Sequence, residues 1–201
     1  MGSIQLDLAN FSMASKFDTQ VHRLDAALSN AGNTVSMLQT QDGTLRSVGN
    51  ALNRIGELAI LAQDVTKSDA DRALYAEEFS LLKTMVSDSA SMAFNGVEMF
   101  GNQSKSVAVD EDEGTTELPA IDLQADPYAA ALADETSIAT LDSAAAALAT
   151  VKEGVSQLST DRAKVGAAQA TLEPESERLT PARSSLTSAG SRITDIGYAP
   201  S

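Results

Sequence analysis

Few residues in this chain are of types that do chemistry. His22 is the sole histidine and there is no cysteine, so neither a nucleophile with its base nor a nitrogen and sulfur metal cluster can be assembled. His22 sits beside Val21 and reads as a partly exposed residue on a helix flank. The densest acidic run is Asp110-Glu-Asp-Glu113, but a calcium loop of the EF-hand type needs glycine at the sixth position from Asp110, where Thr115 stands. That run reads as a solvated acidic turn. Asn10-Phe-Ser12 and Asn102-Gln-Ser104 match the N-glycosylation triplet, which is common by chance. No catalytic residue, cofactor site or metal site is expected, and the chain does not read as an enzyme.

Charge narrows the partners. The 28 acidic residues against 14 basic ones leave a net charge of −14, which repels phosphate backbones and anionic membranes. Nucleic acid and membrane are therefore not expected partners. No run approaches the roughly 18 apolar residues that cross a bilayer. Met1-Gly2-Ser3 lacks the basic segment and apolar core of a signal peptide, so any export would not use a cleaved one. Tryptophan is absent and aromatic residues make up 4% of the chain. Packing must then rest on Leu, Val, Ile, Met and Ala, which favours close contact between helices.

The elements that must position everything else are helical. Every seventh residue from Val151 is apolar: Val151, Leu158, Val165, Leu172, Leu179, Leu186 and Ile193. Positions seven apart share nearly one helix face, so this line forms a core seam awaiting partner helices. The companion positions four residues on, Val155, Arg162, Gln169, Ser176, Arg183 and Gly190, make the stripe narrow, as suits a thin bundle. A matching stripe runs through Phe17, Val21, Leu24, Leu28, Ala31, Val35 and Leu38, is interrupted at Asp42, and resumes at Leu45, Val48, Leu52, Ile55 and Ala59. One helix is predicted over about 14–64, with Gly43, Gly49 and Gly56 inside it, where bends or close neighbours explain them. Residues 1–13 are weakly patterned, and Met1-Gly2-Ser3 reads as an expression scar. Ser68 and Asp71 form a capping box opening a second helix over 68–93. That helix carries Tyr75, Phe79, Leu82, Met85, Val86 and Met92 on the side that folds back on the first. Phe94-Asn95-Gly96 turns the chain. A β-hairpin follows over about 105–123, with Pro119 at an edge or bulge. The last helix is predicted over 134–196. Pro174 and Pro181 lie inside it, seven apart and on one side, where a kinked continuous helix is favoured over a partly unwound one. The fold class is mainly α, an elongated antiparallel bundle or coiled coil of long N- and C-terminal helices with a second N-terminal helix and a small hairpin, forming a single domain over 14–199.

Several segments in this order resemble bacterial flagellin. They are Asn33 to Leu45, ending Leu-Gln-Thr-Gln-Asp-Gly-Thr-Leu; Leu52-Asn-Arg-Ile-Gly-Glu-Leu58; the helix start at Ser68 to Asp71; Phe94-Asn-Gly-Val97; and Ser191-Arg-Ile-Thr-Asp195 with Tyr198-Ala199. The resemblance implies the inner rod of a filament subunit, with two N-terminal helices, a hairpin and a C-terminal helix antiparallel to the first. It implies an extracellular place in the flagellum and other flagellin subunits as partners. It also implies that the positions matching Arg54, Leu58 and Glu78 form a subunit contact and the patch gripped by the vertebrate Toll-like receptor for flagellin. Gly56 stands where the family motif carries a basic residue. The family's innermost polymerising segments extend beyond both ends of this pattern, so the chain reads as a truncated rod, expected to be monomeric. The related hook-filament junction protein and a flagellin-like protein with a non-filament binding role are the alternatives. An inserted enzyme or adhesin domain is not expected, since only about forty residues separate Phe94 from the last helix.

Overall fold

The structure is a computed structural model, which describes residues 2–109 and 114–197, with side chains described over 10–109 and 114–193. The acidic run Asp110 to Glu113 and the closing Tyr198-Ala199 lie outside the described residues, as does Met1.

Helix α1 spans Gly2–Ala62. Its helical start comes earlier than the predicted position 14, because no glycine or proline interrupts Ile4 to Phe17. Helix α2 spans Asp69–Ser89 and opens on the predicted capping box. The Asp71 backbone N–H donates to Ser68 Oγ at 3.2 Å, and the Ser68 N–H donates to Asp71 Oδ2 at 3.0 Å. Strands β1 (Ala93–Phe94) and β2 (Val97–Glu98) pair antiparallel, with Phe94 opposite Val97. The two residues between them, Asn95 and Gly96, adopt φ of 49° and 78°. A two-residue hairpin of type I′ needs positive φ at both places, and asparagine and glycine tolerate it best.

Strands β3 (Lys105–Ala108) and β4 (Thr115–Leu118) form a second two-stranded sheet. This hairpin is shorter than the predicted 105–123. Pro119 has no N–H to extend the ladder, and beyond it only Ile121 makes a bridge, its carbonyl accepting from Gly101 N–H at 2.7 Å. A short helix α3 (Tyr128–Leu132) precedes α4 (Leu141–Gly197). Helix α4 runs through Pro174 and Pro181 without losing its helical assignment.

Contacts divide the chain into two compact units where the sequence suggested one domain. Unit 1 comprises residues 1–36, 106–118 and 168–201; unit 2 comprises 37–105 and 119–167. In unit 1, Leu24 and Ala27 of α1 pack on Leu179 of α4, flanked by Leu28, Ala182 and Leu186. Arg183 pairs with Asp25, and a Cβ at Gly190 would lie 3.8 Å from the Phe17 Cβ. The Asn30 amide donates to the Ala108 carbonyl of the β3 strand at 3.3 Å. In unit 2, Leu38, Leu45, Val48, Leu52 and Ile55 of α1 are buried with Phe79 and Val86 of α2 and Val151, Leu158 and Val165 of α4. In both units the contacts descend along α4 as they ascend along α1, the antiparallel arrangement expected.

The seam holds for Val151, Leu158, Val165, Leu172 and Leu179, all buried, while Leu186 and Ile193 are half-buried. Its second line is not the predicted one. Gly154, Asp161 and Ala168, three residues after each ladder position, are buried, whereas Val155, Arg162 and Gln169 sit at the margin. Three and four residue steps both return to one face, and here Gly154 and Ala168 take the inner track because small side chains let the helices approach, and Asp161 because Tyr128 bonds it there. Gly49 and Gly56 meet Leu158 and Val151 in the same way, but Gly43 has nothing within 4 Å.

Candidate functional site

Among the described residues no group of three or more acidic, histidine or cysteine side chains could hold a metal ion, and no helix is long and apolar enough to cross a membrane. His22 is exposed, 3.5 Å from the equally exposed Asp18 on the same helix. Besides the Arg183–Asp25 pair of unit 1, the fold brings polar groups together in unit 2, some at the surface and some in the core.

At the surface, Arg54 of α1 reaches Glu78 of α2 with both arms of its guanidinium. Nε donates to Oε1 at 2.7 Å and Nη2 to Oε2 at 3.1 Å, while Nη1 donates to Glu57 Oε2 at 2.9 Å. Such a fork-to-fork pair fixes direction as well as charge. The hydrogen bond from Arg54 holds the Glu78 carboxyl below its usual range, and Glu78 in turn raises Arg54. The structure thus pairs two of the three residues that the resemblance names, Arg54 and Glu78, with both side chains 43% exposed. Leu58 does not join them: it is fully buried in the core. Four residues along a helix turn the face by about 40°, enough to carry Leu58 from the rim inward.

Beside this pair runs a line that sequence periodicity misassigned. Met85 and Met92, expected to fold onto α1, are exposed, together with Leu74 and Leu81, which are 71% and 72% exposed. The spacing is seven, four and seven, so these side chains share one outer face of α2 and the turn after it. Leu81, Thr84, Met85, Asp88, Ser89 and Met92 line a shallow groove along it. Ile60, Leu61 and Val65 at the end of α1 are exposed as well.

Inside unit 2, Asp161 is 2% exposed and Tyr128 is 1% exposed. The Tyr128 hydroxyl donates to Asp161 Oδ2 at 2.9 Å; Gln157 and Lys164 donate to Oδ1 at 3.0 and 2.9 Å. Burial first, then the Asp161 charge, pushes the Tyr128 phenol well above its ordinary range. Asp42, which breaks the sequence stripe, receives Arg162 Nε at 2.8 Å and Arg46 Nη2 at 3.2 Å. The hydrogen bond from Arg162 chiefly lowers its pKa. Lys83 donates to the carbonyls of Ala133 and Thr136, capping the chain as it leaves α3. Its pKa is lowered by burial. The only sequence hint of these contacts was an acid or a base standing at a seam position.

A family model described as the bacterial flagellin N-terminal helical region matches residues 5–105. The chain is 29% identical over 197 residues to the flagellin of Halalkalibacterium halodurans, covering 96% of this chain and 72% of that protein. It is also 29% identical over 214 residues to a flagellar filament core protein of Brachyspira hyodysenteriae, covering 96% and 73%. Among solved structures, Bacillus cereus flagellin superposes with a TM-score of 0.66 at 22% identity, over 76% of this chain and 89% of that one. A flagellar hook-associated chain from Vibrio parahaemolyticus gives 0.73 at 12% identity, over 89% and 95%. At those identities the two superpositions establish the fold alone. The filament proteins, matched in sequence along nearly the whole chain, and the family model decide the rest: this chain belongs to the bacterial flagellin family, the structural subunits of the flagellar filament.

Proposed function

We propose that in the extracellular filament this chain packs against neighbouring copies through the outer face of α2, with the Arg54–Glu78 pair at its edge. The observation that carries this reading is the exposed line Leu74, Leu81, Met85 and Met92. Apolar side chains at helical spacing, left uncovered by their own fold, mark an interaction surface, and a filament subunit meets its own copies first. Four side chains are far fewer than the roughly 20–30 residues a side of a stable pairwise interface. The face therefore works where many subunits are held in an array.

Arg54 has no exposed Leu58 beside it and already satisfies two carboxylates, so the patch suits an oriented rim contact better than a Toll-like receptor anchor. The test is made in a bacterium whose filament consists of this protein. Leu81→Glu and Arg54→Glu should each leave the exported subunit helical by circular dichroism and shorten or abolish filaments seen by electron microscopy. Normal filaments from both variants would overturn the proposal. So would normal filaments that have lost only receptor activation, which would move the patch to the receptor.

A further inference from the structure

The ladder of α4 is so regular that it does not by itself determine where α4 stands along α1. In unit 2, a Cβ at Gly49 would lie 2.9 Å from Leu158 Cδ2, and one at Gly56 would lie 3.7 Å from Val151 Cγ1. Two glycines seven apart thus face two ladder residues seven apart. If α4 slid one heptad, about 10 Å at 1.5 Å per residue, each residue would take the place of the one seven ahead. Val151 would face Gly49, where a smaller side chain fits more easily, and Ala144 would face Gly56. In unit 1, Leu172 would replace Leu179 beside Leu24 and Ala27, leucine for leucine, while Ser176 would replace Arg183 opposite Asp25 and Arg183 would replace Gly190 beside Phe17. The eight residues 133–140 between α3 and α4 can span about 26 Å when extended, and following α4 would draw Thr136 off Lys83 and Ile138 out of the core.

Between the facing helices of unit 2, what the slide destroys is polar. Gly154 would stand in the place of Asp161, leaving the buried Tyr128 hydroxyl with no acceptor, and Val155 would replace Arg162 opposite Asp42. A buried hydroxyl without a partner is disfavoured far more than an imperfect apolar contact. Polar groups at core positions of coiled coils select register in this way, at some cost in stability. We propose that Asp161 and Arg162 are the register key of unit 2: the apolar ladder holds the helices together, and these adjacent residues choose one of two heptad alignments.

The chain has no native cysteine, so spin labels can be placed through cysteines at the exposed positions Asn53 and Ser159 and their separation read by pulsed electron paramagnetic resonance. The unaltered core should give one distance. Moving the key one heptad earlier, by Gly154→Asp, Asp161→Gly, Val155→Arg and Arg162→Val together, with Ser176→Arg and Arg183→Ala to carry the Asp25 pair along and clear Phe17, should lengthen that distance by up to about 10 Å. Asp161→Asn, which still accepts from Tyr128, should keep the original distance. If the transposed variant folds and keeps the original distance, the proposal fails. Should it not fold, Asp161→Leu and Arg162→Leu with Arg183→Ala replace it; a second, longer distance is expected there, and a single unchanged one overturns the proposal.

Discussion

Three glycines of α1 provide a graded test of how closely α4 approaches. In a helix interior each costs roughly 1 kcal/mol relative to alanine, so Gly→Ala would stabilise all three sites equally if propensity alone mattered. Their surroundings differ. Gly43 is exposed, a Cβ there would have nothing within 4 Å, and Gly43→Ala should gain about 1 kcal/mol. Gly56 is buried, and its Cβ would touch Val151 and Leu148 at 3.7 and 3.9 Å. Those are ordinary contacts, so Gly56→Ala should gain about 1–2 kcal/mol once burial of the methyl is added. At Gly49 the Cβ would lie 2.9 Å from Leu158 Cδ2, and Leu158 is itself buried. Forcing such a side chain to move costs about 1–3 kcal/mol, so Gly49→Ala should be neutral or lose up to about 2 kcal/mol. Thermal unfolding reads these differences at about 2–4 °C per kcal/mol for a chain of this size. Combining Gly49→Ala with Leu158→Val should recover much of the loss, a non-additivity expected of touching residues. If Gly49→Ala stabilises as much as Gly43→Ala and shows no coupling to Leu158, the close approach is refuted.

Leu172 is fully buried whereas Leu186 is half-buried, so Leu172→Ala should cost about 2–5 kcal/mol and Leu186→Ala distinctly less in denaturant titration. Equal costs would mean that the ladder is not graded in burial. Tyr128 ionises in the fold only above its ordinary value. Its contribution is therefore complete below about pH 10 and is lost as pH rises beyond that, and Tyr128→Phe should flatten this alkaline decline in unfolding curves. Asp42 is shifted the other way, chiefly by the hydrogen bond from Arg162. Its contribution is present above the usual carboxyl pKa of about 4 and is lost as pH falls below it. Asp42→Asn should weaken the pH dependence of stability there; an unchanged acid limb would deny the pair any part in it.

The ladder from Val151 to Leu179 could be read directly, because leucine and valine seven apart have one economical use in a helix. Its partner line could not. Gly154, Asp161 and Ala168 carry no apolar signature, and only the closeness of α1 shows that small side chains are needed there. Helix α2 misled for a different reason. It is apolar on two faces, with Phe79 and Val86 inside and Leu74 and Leu81 outside, and periodicity cannot say which face a partner covers. Leu58 shows the same limit at finer scale: one turn along from Arg54, it is buried while Arg54 is half-exposed. The turn at Asn95-Gly96 and the Ser68 cap were readable because each rests on local backbone chemistry alone.

Pro174 and Pro181 conflict with helix propensity, yet α4 continues through both. Each proline follows a ladder residue by two positions, Leu172 and Leu179, and two residues turn a helix by about 200°. The prolines therefore occupy the face opposite the seam, and both are exposed. Their missing N–H groups free the carbonyls of Ala170 and Glu177, residues that are also exposed, and water can hydrate those oxygens as it could not in the core. The ring clash one turn back remains, and it opens a helix on the proline side. With both prolines on the solvent face, any bend leans α4 toward the Leu24 and Ala27 surface that covers Leu179. A proline at Leu172 or Leu179 would instead remove a ladder side chain and open the helix against its partner. Placement on the outer face is what makes two helix breakers compatible with an unbroken seam.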